Sequence, residues 1–262
     1  GSGRTDPDGG ARHPQPHDGA GTGRPVVPLP DDGRGTEARG ADFLQGCEAA
    51  FVLRGVKGTI MDITRYVTEI ANRLIPANQP KNLASLFSVL LHELIKGQSV
   101  SPTILATALN CDLEQLASIL KEIPGIEYDN TGDIVGYGLT QRETMHTVEI
   151  NGQRLYTWCA LDTLIFPPLL NQTAYVHSRC ASTSVPILLT VTPDEVLDIT
   201  PSDAVVSLIL PQNKTDIRLS FCCHVHFFAS SRVAHDWALE HPRVEIVTVQ
   251  EAYELGRKLA RH

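Results

Sequence analysis

The sequence has no surplus of positive charge, no long apolar run and no paired-cysteine motif, and each absence removes a class of protein. Lys and Arg total 22 against 30 Asp and Glu, a formal net charge of -8. That balance disfavours a protein whose affinity comes from neutralising phosphates. No apolar run approaches the ~18 residues of a membrane-spanning helix. No N-terminal stretch has the basic, apolar, small-residue order of a signal peptide, and Ala49-Ala50-Phe51-Val52-Leu53 is too short and too far in. A cytoplasmic protein with no membrane partner is therefore expected. The six cysteines, at 47, 111, 159, 180, 222 and 223, then read as thiols rather than as a disulfide framework. Their spacing is not the CxxC pattern of a structural zinc site. There is no G-x-S-x-G for a serine nucleophile, no glycine-rich phosphate loop and no internal repeat.

What is present divides the chain in three. At 262 residues it has room for one large or two small domains. Residues 1–60 hold 13 of the 20 glycines and 6 of the 17 prolines. Such a segment buries too little apolar surface to offset its ordering entropy, and reads as disordered. Met61 opens ordinary folded sequence and reads as the natural start, the preceding stretch being an extension or, alternatively, a regulatory tail.

From Met61 the signals are helical. Ile63, Tyr66, Val67, Ile70 and Leu74 share a face. Asn82 to Lys96 repeats the pattern, and Gly97 stops it. Ser101-Pro102 starts a short helix through Leu109, and Asp112 caps another carrying Leu113, Leu116, Ile119 and Leu120. Residues 126–137 then read as a hairpin with its turn at Asp129-Asn130-Thr131-Gly132. Helices followed by such a hairpin predict a winged-helix-like domain over 61–142. Its charge argues against DNA: over 61–145 there are six basic and ten acidic side chains, a net of -4, and the helix over 102–109 has no Arg or Lys. A packing domain that braces the remainder is the favoured reading, with no nucleic-acid partner.

The second domain, 143–262, opens with a hairpin over 146–156 turned by Asn151-Gly152. A helix is expected from Cys159 or Ala160 to Phe166, broken by Pro167-Pro168. Strands are expected at 174–178, 186–191 and 204–210, a helical turn at 194–197, and mostly strand over 217–228. Amphipathic helices at 230–241 and 249–259 close the chain. Strands in series with helices segregated to the ends predict an α+β fold with a mostly antiparallel sheet.

Two stretches carry chemistry. Cys159 and Asp162, at i and i+3, share a helix face. A thiol at a helix N-terminus gains thiolate character from the backbone dipole, and a nearby carboxylate opposes that, so the pair suits proton exchange. The plain alternative is a buried small residue beside a capping aspartate. Downstream, Ser220-Phe221-Cys222-Cys223-His224-Val225-His226-Phe227-Phe228 places two thiols in an apolar run. Read as a strand, it puts Cys222, His224, His226 and Phe228 on one face. Thiolates prefer soft ions such as Hg(II), Cu(I) and Cd(II), and one sulfur from each stretch would make the linear site that mercury favours. The alternatives are a buried strand whose cysteines are simply small and apolar, and a zinc site from Cys222, His224 and His226, which crowds a tetrahedron. Cys180 reads as structural, Cys111 as core and Cys47 as incidental.

Over 61–262 the sequence resembles the alkylmercury lyase (organomercurial lyase) family. The segments that carry the likeness are Gly136-Tyr137-Gly138-Leu139-Thr140, Arg154-Leu155-Tyr156 through Phe166-Pro167, and Ser220 through Ser230. The resemblance implies a winged-helix-like domain followed by an α/β catalytic domain. It implies catalytic roles for Cys159, Asp162 and Cys222, with the same three residues holding substrate or product mercury, a structural Cys180 and a dispensable Cys223. The implied reaction is protonolysis of a carbon–mercury bond, giving a hydrocarbon and Hg(II). No cofactor is implied; small thiols, or a mercuric reductase, would remove the ion. Two other readings stay open: a soft-metal-binding winged-helix regulator, and a metal chaperone without turnover.

Overall fold

The computed structural model describes residues 66, 68–70, 72, 83–211 and 217–260. The disorder expected for 1–60 and the proposed start at Met61 lie outside the described residues. Residues 66, 68–70 and 72 are helical, and Tyr66 and Ile70 are buried, as the amphipathic pattern requires.

Helix α1 (Leu83–Leu94) buries Leu86, Leu90, Leu91 and Leu94, a stripe at helical spacing, and ends ahead of Gly97 at φ +80°. Helix α2 (Pro102–Ala108) is capped by Ser101, whose side chain accepts from the Ile104 N–H. Helix α3 (Leu113–Lys121) begins with a capping box between Asp112 and Gln115. Strands β1 (Glu127–Tyr128) and β2 (Ile134–Tyr137) form the wing hairpin. Its turn is held by the Asp129 carboxylate, which accepts from the Thr131 and Asp133 N–H groups.

The wing does not end there. Strands β3 (Leu139–Thr140), β4 (His146–Ile150), β5 (Gln153–Thr157), β6 (Ala174–Arg179), β7 (Pro186–Val191) and β8 (Val196–Thr200) join it in one antiparallel sheet of order β1-β2-β3-β5-β4-β6-β7-β8. Strands on both sides of the expected 142/143 boundary thus share a hydrogen-bonded ladder. The β4–β5 turn places Asn151 and Gly152 at φ +53° and +76°, as a two-residue hairpin demands. Helix α4 (Ala160–Leu170) lies against β4, β5 and β7. A smaller sheet, β10-β9-β11, is built from β9 (Val205–Leu208), β10 (Phe227–Phe228) and β11 (Glu245–Thr248), with helix α6 (Ser231–Ala238) over it. Helix α7 (Val249–Leu259) packs on α4. The architecture is α+β, helical first and then mostly antiparallel sheet, as predicted. No helix among the described residues is long and apolar enough to cross a membrane.

Three expectations fail. Residues 217–228 are not a strand: Ile217–Ser220 is a helical turn, α5, Cys222–His224 is a 3-10 turn, and only Phe227–Phe228 is extended. The stretch is apolar throughout, and apolarity alone does not separate a buried strand from a buried turn. Residues 194–197 make no helical turn; Val196 enters β8. Finally, α4 does not stop at Phe166 but runs through Pro167 and Pro168 to an Asn171 C-cap at φ +53°. Proline's fixed φ suits a helix, and the cost is the lost N–H bonds to the preceding turn. Helix α7 covers that turn: a Cβ added to Gly256 would stand 2.9 Å from Ile165 Cγ1 and 3.4 Å from the Leu164 carbonyl oxygen.

Candidate active site

The site forms where β5 ends and α4 begins. Cys159 is the N-cap of α4, in extended backbone, and its N–H donates to Asp162 Oδ2 at 3.1 Å. In return the Asp162 N–H faces the Cys159 sulfur. A capping box therefore places thiol and carboxylate together by purely local geometry. Both plain and functional readings of the pair describe the same contact.

Cys222 comes from 63 positions later in the chain, and backbone bonds seat it. The Ala160 N–H donates to the Val225 carbonyl at 3.1 Å, tying the start of α4 to the exit of the Cys222–His224 turn. The turn is closed by Val225 N–H to the Cys222 carbonyl at 3.1 Å. Ser207 Oγ of β9 donates to the His224 carbonyl at 2.8 Å and accepts from the His226 N–H at 2.9 Å. The result brings the sulfurs of Cys159 and Cys222 and a carboxylate oxygen of Asp162 within 4.8 Å of one another. Among the described residues this is the one group of three His, Cys, Asp or Glu side chains so placed.

The cluster is enclosed. Cys159 is fully buried, Cys222 nearly so, and the Asp162 carboxyl is surrounded by protein although the residue keeps some exposed surface. Burial dominates the electrostatics. It pushes the Asp162 carboxyl up to about 7, against the pull of hydrogen bonds from Cys159 and the nearby Arg218 charge. Burial also pushes the Cys159 thiol well above its usual value, with the Cys222 hydrogen bond and the Asp162 charge adding to it. For Cys222, the hydrogen bond with Cys159 lowers the value, but burial and Asp162 outweigh it and the net shift is upward. The thiolate character expected from the helix terminus is thus overridden by desolvation.

Aromatic rings wall the site. Tyr137 meets Trp158 edge-on at 5.5 Å, and Phe87 of α1 meets Tyr137 at 5.7 Å and Phe166 at 6.2 Å. Arg218 lies over the Trp158 indole at 5.2 Å. Neither Arg218 nor Glu127, its partner at 2.5 Å, was legible as a site residue. Their contact spans 91 positions, and no spacing rule reaches that far.

The remaining cysteines and histidines stand apart. Cys180 is buried in the turn after β6 and Cys111 is half-buried between α2 and α3. Cys223 is buried next to Cys222 in the same 3-10 turn. Cys47 lies outside the described residues. The zinc reading of Cys222, His224 and His226 fails because they do not share a strand face. His226 Nε2 bonds the Cys223 carbonyl at 2.9 Å, and the ring packs edge-on against Trp237 and Phe228.

Comparison with known proteins gives matches along both halves. The family profile described as "Alkylmercury lyase" matches residues 139–261, and that described as "Helix-turn-helix domain of alkylmercury lyase" matches 65–138. An alkylmercury lyase of Pseudomonas putida is 51% identical over 200 residues, covering 76% of this chain and 94% of the relative. One from Streptomyces lividans is 43% identical over 195 residues, 73% of this chain and 91% of the relative. One from Bacillus cereus is 39% identical over 196 residues, 75% and 90%. Among solved structures, the mercury-bound form of MerB2 superposes with a TM-score of 0.65 at 25% identity, covering 76% of this chain and 97% of that one.

Proposed function

The chain belongs to the alkylmercury lyase family, and we propose that it cleaves the carbon–mercury bond of organomercurials by protonolysis with Cys159, Cys222 and Asp162 as the catalytic residues. The observation that carries this reading is the convergence of two sulfurs and one carboxylate within 4.8 Å in an enclosed site. Two metal–thiolate bonds of about 2.3 Å laid end to end, the zinc value taken as a lower bound for a larger ion, span about 4.6 Å. The spacing therefore suits one heavy atom held between both sulfurs.

The reaction follows from the donor set. A thiol gives its proton to Asp162, whose carboxyl, held at about 7, exchanges protons readily at neutral pH. The sulfur bonds the mercury of R–Hg⁺, and the second thiol loses its proton and bonds in turn. Two thiolates push electron density into the Hg–C bond. Asp162 then hands its proton to the carbon, whose electron pair leaves mercury. The balance is one R–Hg⁺ and two thiols in, one R–H, one proton and Hg(II) between two sulfurs out. No net electrons move, so no redox cofactor is required. Small thiols, or a mercuric reductase, would take the ion away. We place this chemistry in the cytoplasm, with 143–262 as the catalytic domain and 61–142 as its winged-helix-like companion.

The test is incubation with phenylmercuric acetate and excess thiol, with headspace measurement of benzene. The protein should release it, and Cys159→Ser, Cys222→Ser and Asp162→Ala should each cut release by about 10²-fold or more, as expected for groups acting on the reacting atoms. Mercury retained without benzene would instead favour a binding protein, and an Asp162→Ala variant at full rate would remove the proposed proton carrier.

A further inference from the structure

Arg218 stands four residues before Cys222, over the Trp158 ring, with its charge bearing on both Asp162 and Cys222. A cation there favours the anionic forms through which the proposed reaction passes. Its Nη1 is 2.5 Å from Oε1 of Glu127, on wing strand β1. Glu127 is only 7% exposed, and a carboxylate so buried is costly unless paired.

The wing is built around that carboxylate. Its other oxygen accepts from the Thr140 hydroxyl of β3. Thr140 Oγ1 in turn accepts from the Arg142 N–H at 3.0 Å. Gly136 is the cross-strand partner of Glu127. A Cβ at Gly136 would stand 2.5 Å from both Glu127 Oε2 and Thr140 Oγ1. Absence of a side chain on β2 and a hydroxyl on β3 thus make a socket for one acid on β1, and that acid faces the arginine of the site. As a device for stability alone, a largely buried ion pair gains little over apolar packing.

We propose that Glu127 is a positioning residue for carbon–mercury cleavage: the wing lends the site a carboxylate that fixes where the Arg218 charge sits against Cys222 and Asp162. The proposal rests on the lyase reading above. It makes the N-terminal half a part of the reaction machinery and not only a brace.

A double-mutant cycle on the full chain tests it, reading kcat and KM for benzene release from phenylmercuric acetate. Glu127→Gln keeps volume and the Thr140 contact but removes the charge that holds Arg218. It should lower kcat about tenfold with KM within about twofold, since the sulfurs that grip substrate are untouched. In an Arg218→Met background the same change should alter kcat by less than about twofold, because the residue it acts through is gone. The same tenfold loss in both backgrounds, or a full kcat in Glu127→Gln, overturns the proposal. A purely structural Glu127 would lower the melting temperature and leave kcat per folded molecule unchanged. Should Glu127→Gln fail to fold, Arg218→Lys reads the same contact from the other side. It keeps the charge but not the planar fork, so it should lose kcat, and full retention overturns the proposal. If the unmodified protein releases no benzene, the lyase reading itself falls; turnover with an additive cycle sinks this inference alone.

Discussion

Cys159 and Cys222 are enclosed thiols whose ionisation burial opposes, and that combination sets how they meet electrophiles. The thiolate, not the thiol, attacks alkylating reagents, and a thiol pushed up by burial keeps less of that form at neutral pH. Iodoacetamide at neutral pH should modify half-buried Cys111 at least about tenfold faster than Cys159 or Cys222. Peptide mapping by mass spectrometry would show it, and equal rates would mean the site is open. The residue types at 159, 162 and 222 were readable because thiol, carboxylate and spacing name a chemistry without a fold. Arg218 and Glu127 were not, since each is an ordinary surface charge until a contact across 91 positions buries it.

Elements set by local rules were the legible ones. Ser101 and Asp112 cap α2 and α3 where serine, proline and aspartate said they would, and β7 and α7 begin and end at the expected residues. The stretch 217–228 was misread because its apolar run serves a turn fixed by partners elsewhere, Ala160 and Ser207 among them. Strands β3, β8 and β11 also escaped; each is short and none alternates cleanly between buried and exposed. At this scale the wing offers a sharp test. Gly136→Ala, pressing a methyl group onto Glu127 and Thr140, should destabilise the fold by about 1–3 kcal/mol in urea unfolding. A neutral substitution would show the socket to be looser than drawn.

For the molecule as a whole, three buried groups shape stability against pH. Burial lowers His146 to about 3, helped by His226, and lowers His226 to about 4 despite its bond to the Cys223 carbonyl. Burial raises Asp162 to about 7. The depressed imidazoles lend stability that is present above their unfolded value and lost as pH falls. The raised carboxyl does the reverse, lending stability at low pH that is lost as pH rises. Between about pH 5 and about pH 6 the unfolded chain holds a proton on both imidazoles and none on Asp162. The folded protein holds one, on Asp162. From these groups stability should climb by up to about 1.4 kcal/mol per pH unit, and Asp162→Asn should roughly double that slope. Urea midpoints across the window decide it; identical slopes would mean that Asp162 is ionised in the fold.

The unbroken ladder from β1 to β8 has one more consequence. Backbone amides of the wing should trade hydrogen for deuterium on the same schedule as those of β4 and β5, because a strand cannot peel away without stripping its neighbour. Wing amides that exchange far earlier would reveal a seam at β3, and with it an organomercurial site whose far wall comes and goes.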